Sequence, residues 1–170
     1  MFDFLKKNTK EHFDYSYLNT DMHSHLIPGI DDGSPDMETS VKLIKGLSEL
    51  GYKKLITTPH IMWDIYKNNK KDIVSLYKNL EKKVADENIE IEIGIAAEYF
   101  IDDHFKMLLK NKEPLLTIKD NLVLVEFSFA NEPIDLKETL FDMQLQGYHP
   151  VIAHPERYSY NENSKEFFFS

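Results

Sequence analysis

An α/β fold built on a parallel sheet or barrel is predicted for this 170-residue chain by three features of its order. Short β-rich runs alternate with segments of helical period, five times over. The runs are joined by helix-length connections, as parallel neighbours require. Residues capable of chemistry gather where the runs end, the place at which parallel α/β folds bind their ligands. Five units fall short of eight, so the chain forms either an open five-stranded sheet or a barrel that stops before closing.

The first run is "YLNTDMHSH". The helix after it, over residues 34–51, takes Ser34 as cap, Pro35 as first residue and Gly51 as stop, with Val41, Ile44, Leu47 and Leu50 on its apolar face. "KKLITTPH" is the second strand, ended by Pro59. A polar loop around Trp63 leads to a long helix over 69–86 carrying Ile73, Leu76, Tyr77, Leu80 and Val84. "IEIEIGIAAEYF" alternates as a third strand, "DDHFKMLLKN" is helical, and "NLVLVEFSF" is a fourth strand bounded by turn residues. "DLKETLFDMQLQGY" is a helix with Gly147 at its end, and "HPVIAHPERY" supplies the fifth strand. No repeat or low-complexity segment interrupts the series.

Composition removes several functions. A hydrophobic fraction of 42% with 12% aromatic residues is enough for one core. The net charge of -9 argues against nucleic acid as a partner, since phosphate backbones are bound by clustered Lys and Arg. With Cys 0 there is no disulfide, no zinc-thiolate site and no cysteine nucleophile, so any hydrolysis here uses other chemistry. The opening "MFDFLKKNTKEHFDYSYL" has neither a continuous apolar stretch nor a small-residue cleavage site, and the reading is a cytoplasmic protein.

Residues two apart in a strand share a face, so His23 and His25 present two imidazoles on one wall. His60 ends the second strand, Glu98 the third and His154 the fifth, while Asp31 and Asp32 follow the first. Any one of these alone reads as an ordinary core or surface group, and Asp32 before Gly33 as a turn. Together they fall at one topological position and point to a metal site. His12, His104 and His149 stand in helical or loop contexts and receive no role. Imidazole with carboxylate and no sulfur suits Mn, Fe or Zn. Arg157, three residues after His154, emerges over the same face, where a guanidinium beside cations calls for an anion such as phosphate between them.

With "DMHSHLIPGIDDGS", "ITTPHIM", "AAEYF", "LVEFSF" and "VIAHPERY" in this order, the chain resembles the polymerase and histidinol phosphatase (PHP) superfamily of metal-dependent phosphoesterases. Within it the chain is most similar to the bacterial protein-tyrosine phosphatases encoded with capsule and exopolysaccharide genes. The resemblance implies an incomplete distorted β/α barrel, five of about seven units, too few strands to close. Residues 1–17 would be an N-terminal extension and 18–170 a PHP-type domain lacking its C-terminal part. It implies up to three ions, usually Mn2+. His23, His25 and Glu98 would hold one, Glu98 would bridge to a second shared with His154, and Asp32 with His60 would hold the third. Asp31 would stand behind these ligands, and Arg157 would contact phosphate. The implied activity is hydrolysis of phosphotyrosine by a metal-activated water, on the autophosphorylated tail of a bacterial tyrosine kinase that controls capsule synthesis. That substrate would recruit the protein to the inner face of the membrane. The family's later Asp-x-His pair has no counterpart after His154, so weak metal affinity, low turnover and homo-oligomers are expected. Two rival readings are a phosphoesterase for a small metabolite and an inactive binding remnant.

Overall fold

A computed structural model describes residues 14–160. His12, most of the N-terminal extension and the "NENSKEFFFS" tail lie outside the described residues.

Seven strands are formed from the five predicted runs, because the second and third runs each bend at their middle. β1 (Thr20–Ser24) is followed by α1 (Met37–Glu49), then β2 (Lys54–Thr57) and β3 (His60–Ile61) on one run, and α2 (Lys70–Asp86). β4 (Glu92–Ile95) and β5 (Glu98–Phe100) share the next run, followed by α3 (Asp103–Lys110), β6 (Leu122–Glu126), α4 (Leu136–Leu145) and β7 (His149–Ile152). One sheet has the order β1-β2-β4 and the other β3-β5-β6-β7, with every pair parallel. The two sheets are a single bent ribbon. Ala96 N donates to Thr57 O at 2.9 Å and Glu98 N to Pro59 O at 3.0 Å, so pairing between the second and third runs continues across both bends.

The bend has a local cause. Thr58 N still reaches Ser24 O at 2.7 Å, but the next N–H on that side, His60 N, donates to the Asp31 carboxylate at 3.0 Å instead, and the ladder toward β1 stops there. β1 therefore pairs with the first half of the second run and β6 with the second half of the third. This stagger is how a parallel sheet begins to curl. It also shifts two expected positions: His60 and Glu98 do not end strands but open the short strands beyond the bends, directly paired with each other.

The helices bury one stripe each against this ribbon. Ile44 of α1, Ile73, Leu80 and Val84 of α2, Phe105 and Leu109 of α3, and Leu136 and Met143 of α4 form one cluster with Leu55, Tyr99, Val123 and Val125 of the strands. α1 starts later than its sequence suggests. Asp36, not Ser34, is the cap, its carboxylate accepting from Thr39 N at 2.8 Å, while Ser34 is buried and accepts from the Ser40 hydroxyl. Asn69 and Asp102 cap α2 and α3 in the same way. His149 is the first residue of β7 rather than part of a loop.

Candidate metal centre

Glu98 sits at the centre of the polar residues, fully buried, with both carboxylate oxygens lacking a hydrogen-bond partner. Four imidazoles surround it. His23 Nε2 and His154 Nε2 lie 3.7 Å from Oε1, while His25 Nε2 and His60 Nδ1 lie 3.2 and 3.3 Å from Oε2.

Two of the imidazoles are oriented from behind by hydrogen bonds to a ring nitrogen. Thr58 Oγ1 lies 2.6 Å from His23 Nδ1 and donates its own proton to Ser24 O, so it accepts from His23 and leaves the Nε2 lone pair facing inward. His25 Nδ1–H donates to Asp31 Oδ2 at 2.8 Å. Asp31 also accepts from Gly33 N and His60 N, both at 3.0 Å, so it stands behind His25 and ties the first loop to the bend in the second run. His60 is stacked on Tyr66 at 5.5 Å, and its carbonyl accepts from Asn68 Nδ2. His154 lies just past β7 with φ 48°, a left-handed conformation that turns the chain after the strand. Gly33 is required by closeness: a Cβ there would lie 2.3 Å from His25 Cβ and 2.4 Å from His25 O.

The closest contact shows what the cluster is suited to hold. His23 Nε2 and His154 Nε2 approach to 3.2 Å, each also facing a buried carboxylate oxygen that has no donor. With the His23 lone pair directed inward, the two nitrogens are placed either to share a proton or to face a common cation, and a buried carboxylate without a well-formed hydrogen bond is costly by itself. Among the described residues, three groups have ligand atoms within 4.8 Å of one another: His23, Glu98 and His154; His25, His60 and Glu98; and His25, Asp31 and Asp32. The residues present fit divalent metal ions. Among the described residues, Glu98 belongs to two of these groups, one with His23 and His154 and one with His25 and His60. Asp32, exposed, reaches His60 Nε2 at 3.6 Å.

Among the protein groups alone, burial works to raise the Glu98 pKa, but the imidazoles of His25, His23 and His60 outweigh it and hold the carboxyl below the usual range. Burial likewise opposes a proton on His25, yet Asp31 and Glu98 overcome it and push its pKa up to about 10. His23 and His60 are lowered, chiefly by burial.

Glu126 was missed in the sequence. It ends β6, is buried, and places Oε2 3.9 Å from His60 Nδ1. Burial, then the charge of Glu98, pushes its pKa up to about 7, with Arg157 acting in the opposite direction. The available signal was its place at the carboxyl end of a β-rich run in "LVEFSF". The cluster forms the floor of a cavity of about 690 Å³ whose walls include Met62, Ile65, Tyr66, Phe100 and Phe129, with Arg157 on its lining. His104 lies elsewhere, stacked on Trp63 at 3.8 Å.

Known proteins share this arrangement of elements. The tyrosine-protein phosphatase YwqE of Bacillus subtilis is 33% identical over 138 residues, 81% of this chain and 54% of its own length. The tyrosine-protein phosphatase CpsB of Streptococcus agalactiae serotype V is 30% identical over 148 residues, 86% of this chain and 60% of its own. A solved structure, from work on YwqE of B. subtilis and CpsB of Streptococcus pneumoniae as metal-dependent tyrosine phosphatases, superposes with TM-score 0.74 at 31% identity. It covers 86% of this chain and 58% of that one. The chain thus spans little more than half the length of the relatives it matches. The family described as capsular polysaccharide synthesis, CpsB/CapC, matches residues 19–167, which include the whole cluster around Glu98, and the chain belongs to that family.

Proposed function

We propose that this chain carries a metal centre for hydrolysing phosphotyrosine in proteins. The observation that carries the reading is Glu98, buried without donors and ringed by four imidazole nitrogens at 3.2 to 3.7 Å. His23, His25, His60, His154, Asp32 and Glu98 would hold the ions, with Glu126 beside them, and Mn2+ suits the sulfur-free donor set. Divalent cations, when bound, supply Lewis acidity toward phosphoryl oxygens and lower the pKa of water. The chain's own residues do the rest. Asp31 and Thr58 fix the ring orientations of His25 and His23, and Arg157 binds phosphate oxygens from the cavity wall. Met62, Ile65, Tyr66 and Phe100 exclude water around a phenol-sized leaving group.

The phosphoprotein substrate in this reading is the tyrosine-phosphorylated tail of a bacterial kinase, met in the cytoplasm at the membrane face. No helix among the described residues is long and apolar enough to cross a membrane. Residues 18–170 are proposed as the phosphoesterase domain and 1–17 as an extension. Among the described strands, β1 and β7 each have one free edge, and Ile134, Phe141 and Leu145 are exposed, which supports self-association readable by sedimentation velocity.

The test is a manganese-supplemented assay of the full chain on a phosphotyrosine peptide and on histidinol phosphate. Hydrolysis of the peptide in preference, abolished by chelator and indifferent to thiol alkylation, is the expected result. Preference for histidinol phosphate would favour the small-metabolite reading, and turnover in metal-free buffer would remove the metal mechanism.

A further inference from the structure

Arg157 is more than half exposed, and the carboxylate of the neighbouring Glu156, itself exposed, stands 3.9 Å from its Nε. That pair is too loose to fix a long side chain. A firmer contact lies on the other side: the guanidinium carbon sits 5.7 Å from the centroid of the Phe129 ring, within cation–π range. Phe129 is itself held. Its ring meets Tyr158 at 5.2 Å and the edge of His154 at 6.5 Å, and its carbonyl accepts from both Ser159 N and Ser159 Oγ. Tyr160 Oη donates to Ser128 O at 2.9 Å, so the loop after β6 and the segment after β7 are tied side by side. The ring therefore neighbours both the His154 imidazole and the guanidinium, and Phe129, His154 and Arg157 all line the cavity.

We infer that Phe129 is a positioning residue: its ring face holds the Arg157 guanidinium so that its N–H groups are presented to a phosphate group in the cavity. The inference rests on the reading of the site as phosphate-binding. It uses the geometry of a planar cation, which on an aromatic face keeps its N–H edge free for bidentate contact with an oxyanion. An aliphatic side chain of similar bulk would keep the packing on Tyr158 but not the attraction to the cation.

The experiment is calorimetric titration of the full chain, loaded with Mn2+, with inorganic phosphate. Phe129→Leu is expected to weaken phosphate binding about fivefold with unchanged manganese content, and Phe129→Trp to retain it. Arg157→Ala should weaken binding on the order of tenfold. Adding Phe129→Leu to Arg157→Ala should then cause no further loss, since the ring acts through the guanidinium. Wild-type affinity in Phe129→Leu, loss of affinity in Phe129→Trp, or multiplying effects of Phe129→Leu and Arg157→Ala would each overturn the role of Phe129 while leaving the site reading intact. No phosphate binding by the manganese-loaded wild type would overturn the site reading itself.

Discussion

Glu98 has no neutral reason to be where it is. A carboxylate removed from water, with no well-formed hydrogen bond and only imidazole nitrogens 3.2 to 3.7 Å away, destabilises a fold by several kcal/mol unless positive charge compensates it. Glu98→Gln keeps the shape but removes the charge and one acceptor, so manganese affinity should fall by more than the roughly 10–100-fold that loss of an outer hydrogen-bond partner costs. Elemental analysis after dialysis checks this, and unchanged metal content would end the assignment. Gly33 makes a different demand. A methyl group there collides with the Cβ and carbonyl of His25, atoms that cannot rotate away. Gly33→Ala is therefore expected to cost about 1–3 kcal/mol in urea unfolding and to weaken manganese binding as His25 is displaced. Both residues stood out in the sequence by position, Glu98 near a strand end and Gly33 after paired aspartates. The closeness that makes Gly33 necessary was not legible, because it arises between backbone atoms that periodicity does not describe.

At the level of elements, capping was only half legible. "SPDMET" offers two candidate caps, Ser34 and Asp36, and propensity alone does not separate them. The choice is made by burial, since Ser34 turns inward to the Ser40 hydroxyl and leaves the Thr39 N–H to Asp36. Asp36→Ala should cost about 1 kcal/mol in urea unfolding without changing metal content. The helices and the five β-rich runs were readable from their periods, down to Asn69 and Gly147. The bends at Thr58-Pro59 and Ala96-Ala97 were not, although Pro59 marks one of them, because a parallel strand that continues past a bend keeps the same apolar character on both sides. The convergence of His23, His25 and His154 was legible because parallel strands of one ribbon send their far ends to one face, whereas His60 and Glu98 join them from the first positions of β3 and β5, just beyond the bends. Glu126 was overlooked for want of applying that same rule to the fourth run.

For the molecule as a whole, cations would add stability by binding only the folded state. At a hundredfold excess over Kd that linkage is worth about 2.7 kcal/mol, so manganese should raise the thermal midpoint by several degrees and a chelator should reverse it. His154→Ala should lose a large part of the shift, and scanning calorimetry with and without metal measures it. The closeness of His23 to His154 also sets an order of assembly. The two are 131 residues apart in the chain, and no pairing between β1 and β7 connects them among the described strands. Closing so long a loop costs roughly 4 kcal/mol of chain entropy if nothing between is ordered, so this contact forms only after the intervening units have stacked. His25, His60 and Glu98, by contrast, are complete once the third run is in place. A refolding chain, or one still emerging from the ribosome, would capture its first ion on the Oε2 side of Glu98 and its next on the Oε1 side. Stopped-flow refolding in manganese should show two uptake phases, the slower one missing in His154→Ala.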